Sequence, residues 1–251
     1  MATPPAPMYD PRMDAPAPAA LPFELPPTQD ELPYDDGEPM ETPKHRQQMS
    51  LLIETLERRI GRPDVFIGGN MAMYYSVVQA RRNDFKAPDF FVVLNAVTDR
   101  ERKSWVVWEE DGRVPNVVVE LLSESTERQD RGRKMQVYAG LGVHEYYLYD
   151  PIDQRLEGFR LDSATRSYAP IVAEADGRLS CESLGLRLGV AEGTFQGVRG
   201  AWLRWQDPDG TILPTGAEDA ERERARAERE QARAERHAAR LRALGVDPDE
   251  G

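Results

Sequence analysis

Residues 116–122 read Asn-Val-Val-Val-Glu-Leu-Leu, a short β-branched run with one carboxylate set into it. Such a run suits a central strand with both faces covered. Glu120 then constrains everything around it. By alternation it shares a face with Val118 and Leu122, and an ionised carboxylate there is costly without a partner. A basic side chain or a metal ion would meet that need. The plain alternative is a strand-end glutamate facing solvent or paired with an arginine.

The flanking pattern indicates what surrounds this strand. Leu52, Ile53, Leu56 and Ile60 recur at helical spacing, which predicts a helix over 49–60 that Pro63 closes. Strands are expected at 65–67, 71–78 and 90–94 before the central one. Met135, Tyr138, Ala139 and Leu141 mark a helix over 128–141, ended by Gly140 to Gly142. A strand over 145–149 stops at Asp150-Pro151. Short strands follow at 155–161, 168–172, 186–190 and 201–205, and Asp207-Pro208-Asp209-Gly210 forms a tight turn. One helix, a run of strands, a second helix and more strands indicate an α/β (α+β) domain over 44–216, built on a curved mixed sheet with flanking helices.

Both ends differ from this domain. The whole chain carries 44 acids against 32 bases, a formal charge of −12. Residues 1–43 hold −8 of that charge and 12 of the 20 prolines, and read as a disordered acidic, Pro-rich tail. The remainder is only weakly acidic, so charge does not exclude a nucleic-acid partner. Residues 217–245 are Ala, Arg and Glu with charge pairs such as Glu221 and Arg224, which predicts a long charged helix. Ala220, Ala227, Ala234 and Leu241 share one heptad position, leaving a coiled coil and a solvated single helix both open. No apolar run is long enough to span a membrane, no secretory leader is visible at the start, and Cys181 is the only cysteine. A cytoplasmic chain without disulfides is expected.

Several chemistries lack their residues. Gly68-Gly69 has no phosphate-loop spacing. His45, His144 and His237 fall in a linker, a junction and the terminal helix, and form no ligand set. Ser123 and Ser125 have no evident histidine base. Carboxylates remain: Asp89, after Pro88 and before an apolar strand, and Glu120. Two carboxylates plus a main-chain carbonyl form the oxygen set that Mg²⁺ or Mn²⁺ prefers. Lys134 stands in the next helix near Arg128, Arg131 and Arg133, with Asp130 four residues before it.

Pro88-Asp89, then Glu120 in VVVELLSEST, then DRGRKMQVYAGLGVHEYYLYDP resemble the Uma-two family of the PD-(D/E)xK nuclease superfamily, over roughly residues 49–205. The resemblance implies a restriction-endonuclease-like fold and a metal-dependent endonuclease that hydrolyses DNA phosphodiesters. It implies Asp89, Glu120 and Lys134 as catalytic residues, and Mg²⁺ or Mn²⁺ on Asp89, Glu120 and Leu121. Leu122 stands where the superfamily carries lysine, and Lys134 looks like its migrated replacement. Glu57 or Glu54 would add a ligand from the first helix, and Ser123, Asp130 or Gln136 would position the lysine or the water. Arg81, Arg82, Lys86, Arg131 and Arg133 are candidate DNA contacts; Arg100, Arg102 and Lys103 form a second patch. Trp105 and Trp108 are read as apolar cover, with base stacking as the other reading. The expected partners are DNA and a second copy of the chain, with no membrane and no organic cofactor. The competing expectation is a catalytically inactive nuclease-fold scaffold that binds DNA or protein and self-associates through its terminal helix.

Overall fold

The computed structural model describes residues 25–34, 42–82 and 84–243. A six-stranded mixed sheet forms its centre, in the order β1 (Val65–Gly68), β3 (Phe90–Leu94), β5 (Val117–Leu121), β6 (Glu145–Asp150), β7 (Arg155–Asp162), β8 (Ser167–Pro170). Within this sheet only β5 and β6 run parallel. Their connection is one helical stretch made of α3 (Glu127–Gln129), a π turn (Asp130–Lys134) and α4 (Met135–Leu141).

Alternation along β5 sorts the core. Val117, Val119 and Leu121 face α1 (Pro43–Ile60) and a three-stranded sheet of β9 (Leu179–Cys181), β10 (Leu186–Phe195) and β11 (Val198–Gln206). Val118 and Leu122 face the helical connection, packing with Tyr138, Tyr146 and Leu148. All five residues of β5 are buried, as the β-branched run implied. At its far end the chain forms α5 (Gly216–Ala243), none of whose residues is buried. Residues 244 and 245, also expected in that helix, lie outside the described residues.

Three local readings need correction. The first helix starts at Pro43 rather than Met49, because Thr42 caps it: the Thr42 hydroxyl accepts from the His45 amide. His45 is therefore a helix residue and not part of a linker. Residues 71–78 are not one strand. A two-residue β2 (Met73–Tyr74) pairs with β4 (Trp105–Val106), and Ser76 then caps a short α2 (Val77–Arg81), while the Gln79 amide group bonds back to Tyr75 and Met73. Apolar periodicity alone did not reveal β9, whose three residues pair with β10.

Part of the acidic tail lies against the domain. Leu32 is buried with Tyr74, Ala80 and Val106. Pro27 accepts from the Trp108 indole at 2.9 Å, and Asp30 pairs with Lys103 at 2.7 Å. Trp105 is fully buried, its indole donating to the Arg113 carbonyl, which agrees with a covering role for both tryptophans. Other tail residues, 1–24 and 35–41, lie outside the described residues.

Candidate active site

Strand register brings the first two candidates together. Phe90 pairs with Val119 in the antiparallel β3–β5 ladder, so Asp89 and Glu120 stand opposite each other one step further on. The Asp89 amide points to Glu120 Oε2 at 3.3 Å, and the Leu121 amide donates to Asp89 Oδ2 at 2.7 Å. Two glycines allow the β1–β2 connection to press against this corner. A Cβ on Gly69 would stand 2.9 Å from the Asp89 carbonyl oxygen, and Asn70 donates to the Pro88 carbonyl at 2.9 Å. The Gly68-Gly69 pair is thus a packing device beside a carboxylate, with no phosphate-loop role.

Lys134 reaches both sides of the cluster. Its Nζ lies 3.1 Å from Glu120 Oε2 and 2.8 Å from Asp130 Oδ1. The wider π turn lets residues 130 and 134 stack closely along one face of the helix. Glu120 is fully buried and Asp130 nearly so. The Tyr138 hydroxyl donates to Glu120 Oε1 at 3.0 Å, and the Tyr146 hydroxyl donates to the Asp130 carbonyl at 2.9 Å.

Electrostatics follow from burial. Loss of water pushes the Glu120 carboxyl up to about 8, although Lys134 pulls it down, with Asp89 and Asp130 adding to the rise. Asp89 is also raised, first by burial and against the pull of Lys134. Burial alone would lower Lys134, but Glu120, Asp130 and Asp89 together hold it above the ordinary lysine value. Three carboxylates around one ammonium carry a formal excess of negative charge when all are ionised. Among the described residues, no three His, Cys, Asp or Glu side chains meet as a metal cluster.

Other sequence candidates lie elsewhere. Glu57 is exposed near the far end of α1, about 18 Å along the helix from His45. Glu54 accepts from the Gly216 amide at the start of α5. Ser123 caps the turn into α3, its hydroxyl accepting from the Thr126 amide at 3.2 Å. Gln136 is exposed. Most of the proposed DNA-contacting cations already have acidic partners: Arg131 with Glu127 and Glu157, Arg133 and Lys86 with Asp84, and Arg100 and Arg102 with the buried Glu110. Arg81 and Arg82 are exposed on and just after α2.

The first helix contributes His45 instead of a glutamate. This nearly buried ring lies 3.2 Å from the Leu122 carbonyl through Nε2 and 2.8 Å from the Thr42 hydroxyl through Nδ1. A helix start at Thr42-Pro43 is the signal that could have revealed it. Tyr138 was visible too, four residues after Lys134.

The sequence model of Uma2, described as "Putative restriction endonuclease", matches residues 20–191. The chain belongs to the Uma2 family. That match takes in the Leu25–Tyr34 segment as well as the Asp89, Glu120 and Lys134 cluster, and stops within β10. A solved structure described as a "putative nuclease belonging to DUF820 from Anabaena variabilis ATCC 29413" is similar at 17% identity and a TM-score of 0.44, covering 64% of this chain and 86% of that one. No curated protein matches. No helix of the described residues is long and apolar enough to cross a membrane.

Proposed function

We propose that this Uma2 chain is a metal-dependent endonuclease that hydrolyses DNA phosphodiesters at the Asp89, Glu120 and Lys134 cluster. The observation that carries this reading is the buried Glu120 of β5 beside the half-buried Asp89 at the start of β3, with Lys134 reaching in from the helix. Asp130 adds to it: the Lys134 ammonium donates to its Oδ1 at 2.8 Å, while among the described residues its buried Oδ2 has no hydrogen-bond partner. A site this rich in oxygen and negative charge suits a hard divalent cation. Asp89, Glu120 and the Leu121 carbonyl would hold Mg²⁺ or Mn²⁺. The ion would supply Lewis-acid polarisation of the phosphate and a more acidic water.

The protein's own groups have separate work. Glu120, poised near neutrality, releases its proton to become an anionic oxygen donor. Tyr138 holds one Glu120 oxygen, leaving the other toward Lys134 and Asp89. Lys134, kept protonated by its three acidic neighbours, presents a cation to charge developing on the phosphate. Asp130 positions that ammonium.

Incubation of supercoiled plasmid with the full chain and Mn²⁺ tests the reading. Nicked or linear product is expected from wild type and not from Asp89→Asn, Glu120→Gln or Lys134→Met. Cleavage that survives Glu120→Gln would count against it. The scaffold reading has its own supporting observation, since Lys134 already neutralises part of the cluster. Calorimetry separates the two, because a scaffold takes up no Mn²⁺ in an Asp89-dependent way.

A further inference from the structure

Asp84 lies in the segment that leads to Asp89 and β3, and it holds two cations. Its Oδ2 accepts from Arg133 at 2.7 Å and its Oδ1 from Lys86 at 2.6 Å. The two partners are unlike. Lys86 is 10% exposed in its side chain, also donates to the Phe85 carbonyl, and has its backbone bonded to Met73. Arg133 is 67% exposed and immediately precedes Lys134 on the π turn. Tyr75 lies in the electrostatic reach of both Asp84 and Arg133.

We propose that Arg133 is a DNA-backbone contact held in reserve by Asp84, exchanging that carboxylate for a phosphate when a strand enters the site. An exposed ion pair is weak, so releasing Arg133 is cheap. Asp84 keeps Lys86 when Arg133 leaves, so no carboxylate is stranded without its cation. A phosphate accepts the guanidinium fork at least as well as the carboxylate does. Asp84 thus lowers affinity for the backbone next to the scissile position and discourages unproductive binding. This inference rests on the site being one for DNA, and it adds how access to that site is set.

Fluorescence anisotropy with a labelled duplex of mixed sequence, full chain and EDTA tests it. Asp84→Asn, which keeps an acceptor for Lys86, is expected to tighten binding about two- to fivefold, the size of a surface pair. Arg133→Ala is expected to weaken binding and lower the slope of log affinity against log salt by about one. In the double variant the Asp84→Asn gain should vanish, because it acts through Arg133. Asp64→Asn removes the same charge at the opposite end of β3, beside Arg62, and should change little. Equal gains from Asp84→Asn and Asp64→Asn, or a gain that persists without Arg133, would overturn the exchange while leaving the endonuclease reading intact. A wild-type chain that binds no duplex at any salt concentration would overturn both.

Discussion

Asp89 and Glu120 hold each other's strands. The amide of Asp89 points to the Glu120 carboxylate, and the amide following Glu120, that of Leu121, donates to the Asp89 carboxylate. One buried and one half-buried acid are thus fixed side by side by main-chain donors, before any cation is considered. Backbone amides offset part of the cost of placing like charges together, and Lys134 offsets more.

The pH dependence of stability follows. Burial lifts Glu120 from its ordinary 4.5 to about 8. Between these values the folded chain keeps a proton that the unfolded chain has released, so stability falls as pH rises through that window. Glu120→Gln cannot ionise and still offers an oxygen to Tyr138. In divalent-free buffer the variant should lose stability less steeply from pH 5 to 8 and overtake wild type at the alkaline end. Urea titrations at several pH values check this, and an unchanged slope would rule it out.

Two glycines near the site should respond in opposite directions. Gly69→Ala places a methyl 2.7 Å from the Met49 sulfur and 2.9 Å from the Asp89 carbonyl oxygen. The methionine can move, but the backbone oxygen can do so only by shifting Asp89, so a loss of about 1–3 kcal/mol is expected. Gly132 sits in the helical stretch, where an added methyl would meet nothing within 4 Å, and Gly132→Ala should gain about 0.5–1 kcal/mol from lower unfolded-state entropy. Thermal melts of both variants test the pair. Only Gly69→Ala should also weaken Mn²⁺ uptake.

The site was legible where chemistry conflicts with burial. Glu120 stood out because a carboxylate inside a valine run demands a partner, and Lys134 because it lies on the next helix. Strand boundaries followed where β-branched residues cluster, as in β3 and β5. What escaped depended on short side chains closing local loops. Ser76 and Gln79 turn an apparent strand into α2, and Thr42 starts α1 early enough to bring His45 to the end of β5. Glu57, a ligand the family resemblance offered, sits several turns away because the helix enters the site by its first turn. Pairing of Arg131 with Glu157 and of Arg133 with Asp84 is long-range and leaves no local pattern.

His45 joins the first helix to the end of β5. The Leu122 carbonyl only accepts, so Nε2 carries the hydrogen, and Thr42 satisfies Nδ1. His45→Ala leaves that nearly buried carbonyl unpaired and should cost about 1–3 kcal/mol. His45→Gln keeps an N–H in reach of Leu122 and should recover part of the loss. Thr42→Ala removes the helix cap, for about 1 kcal/mol. Because the Thr42 hydroxyl and the His45 ring share the Nδ1 hydrogen bond, the double variant should lose less than the sum of the singles. Guanidinium titrations of the four proteins decide it, and strict additivity would dissolve the coupling.

Lys134 is the cation that makes this cluster tolerable in a metal-free chain. Lys134→Met has similar bulk and no charge, so it leaves Glu120, Asp130 and Asp89 facing one another without their ammonium. Breaking a buried pair from one side costs about 3–5 kcal/mol at neutral pH. The cost should shrink as pH falls, since protonated carboxyls need no counterion. A divalent cation would replace the missing charge, so Mn²⁺ should raise the melting temperature of Lys134→Met more than that of wild type, while plasmid cleavage stays lost. Calorimetric melts with and without Mn²⁺ at pH 5 and pH 8 provide all four comparisons. If Mn²⁺ stabilised neither protein at pH 8, Asp89 and Glu120 would not be metal ligands in this chain.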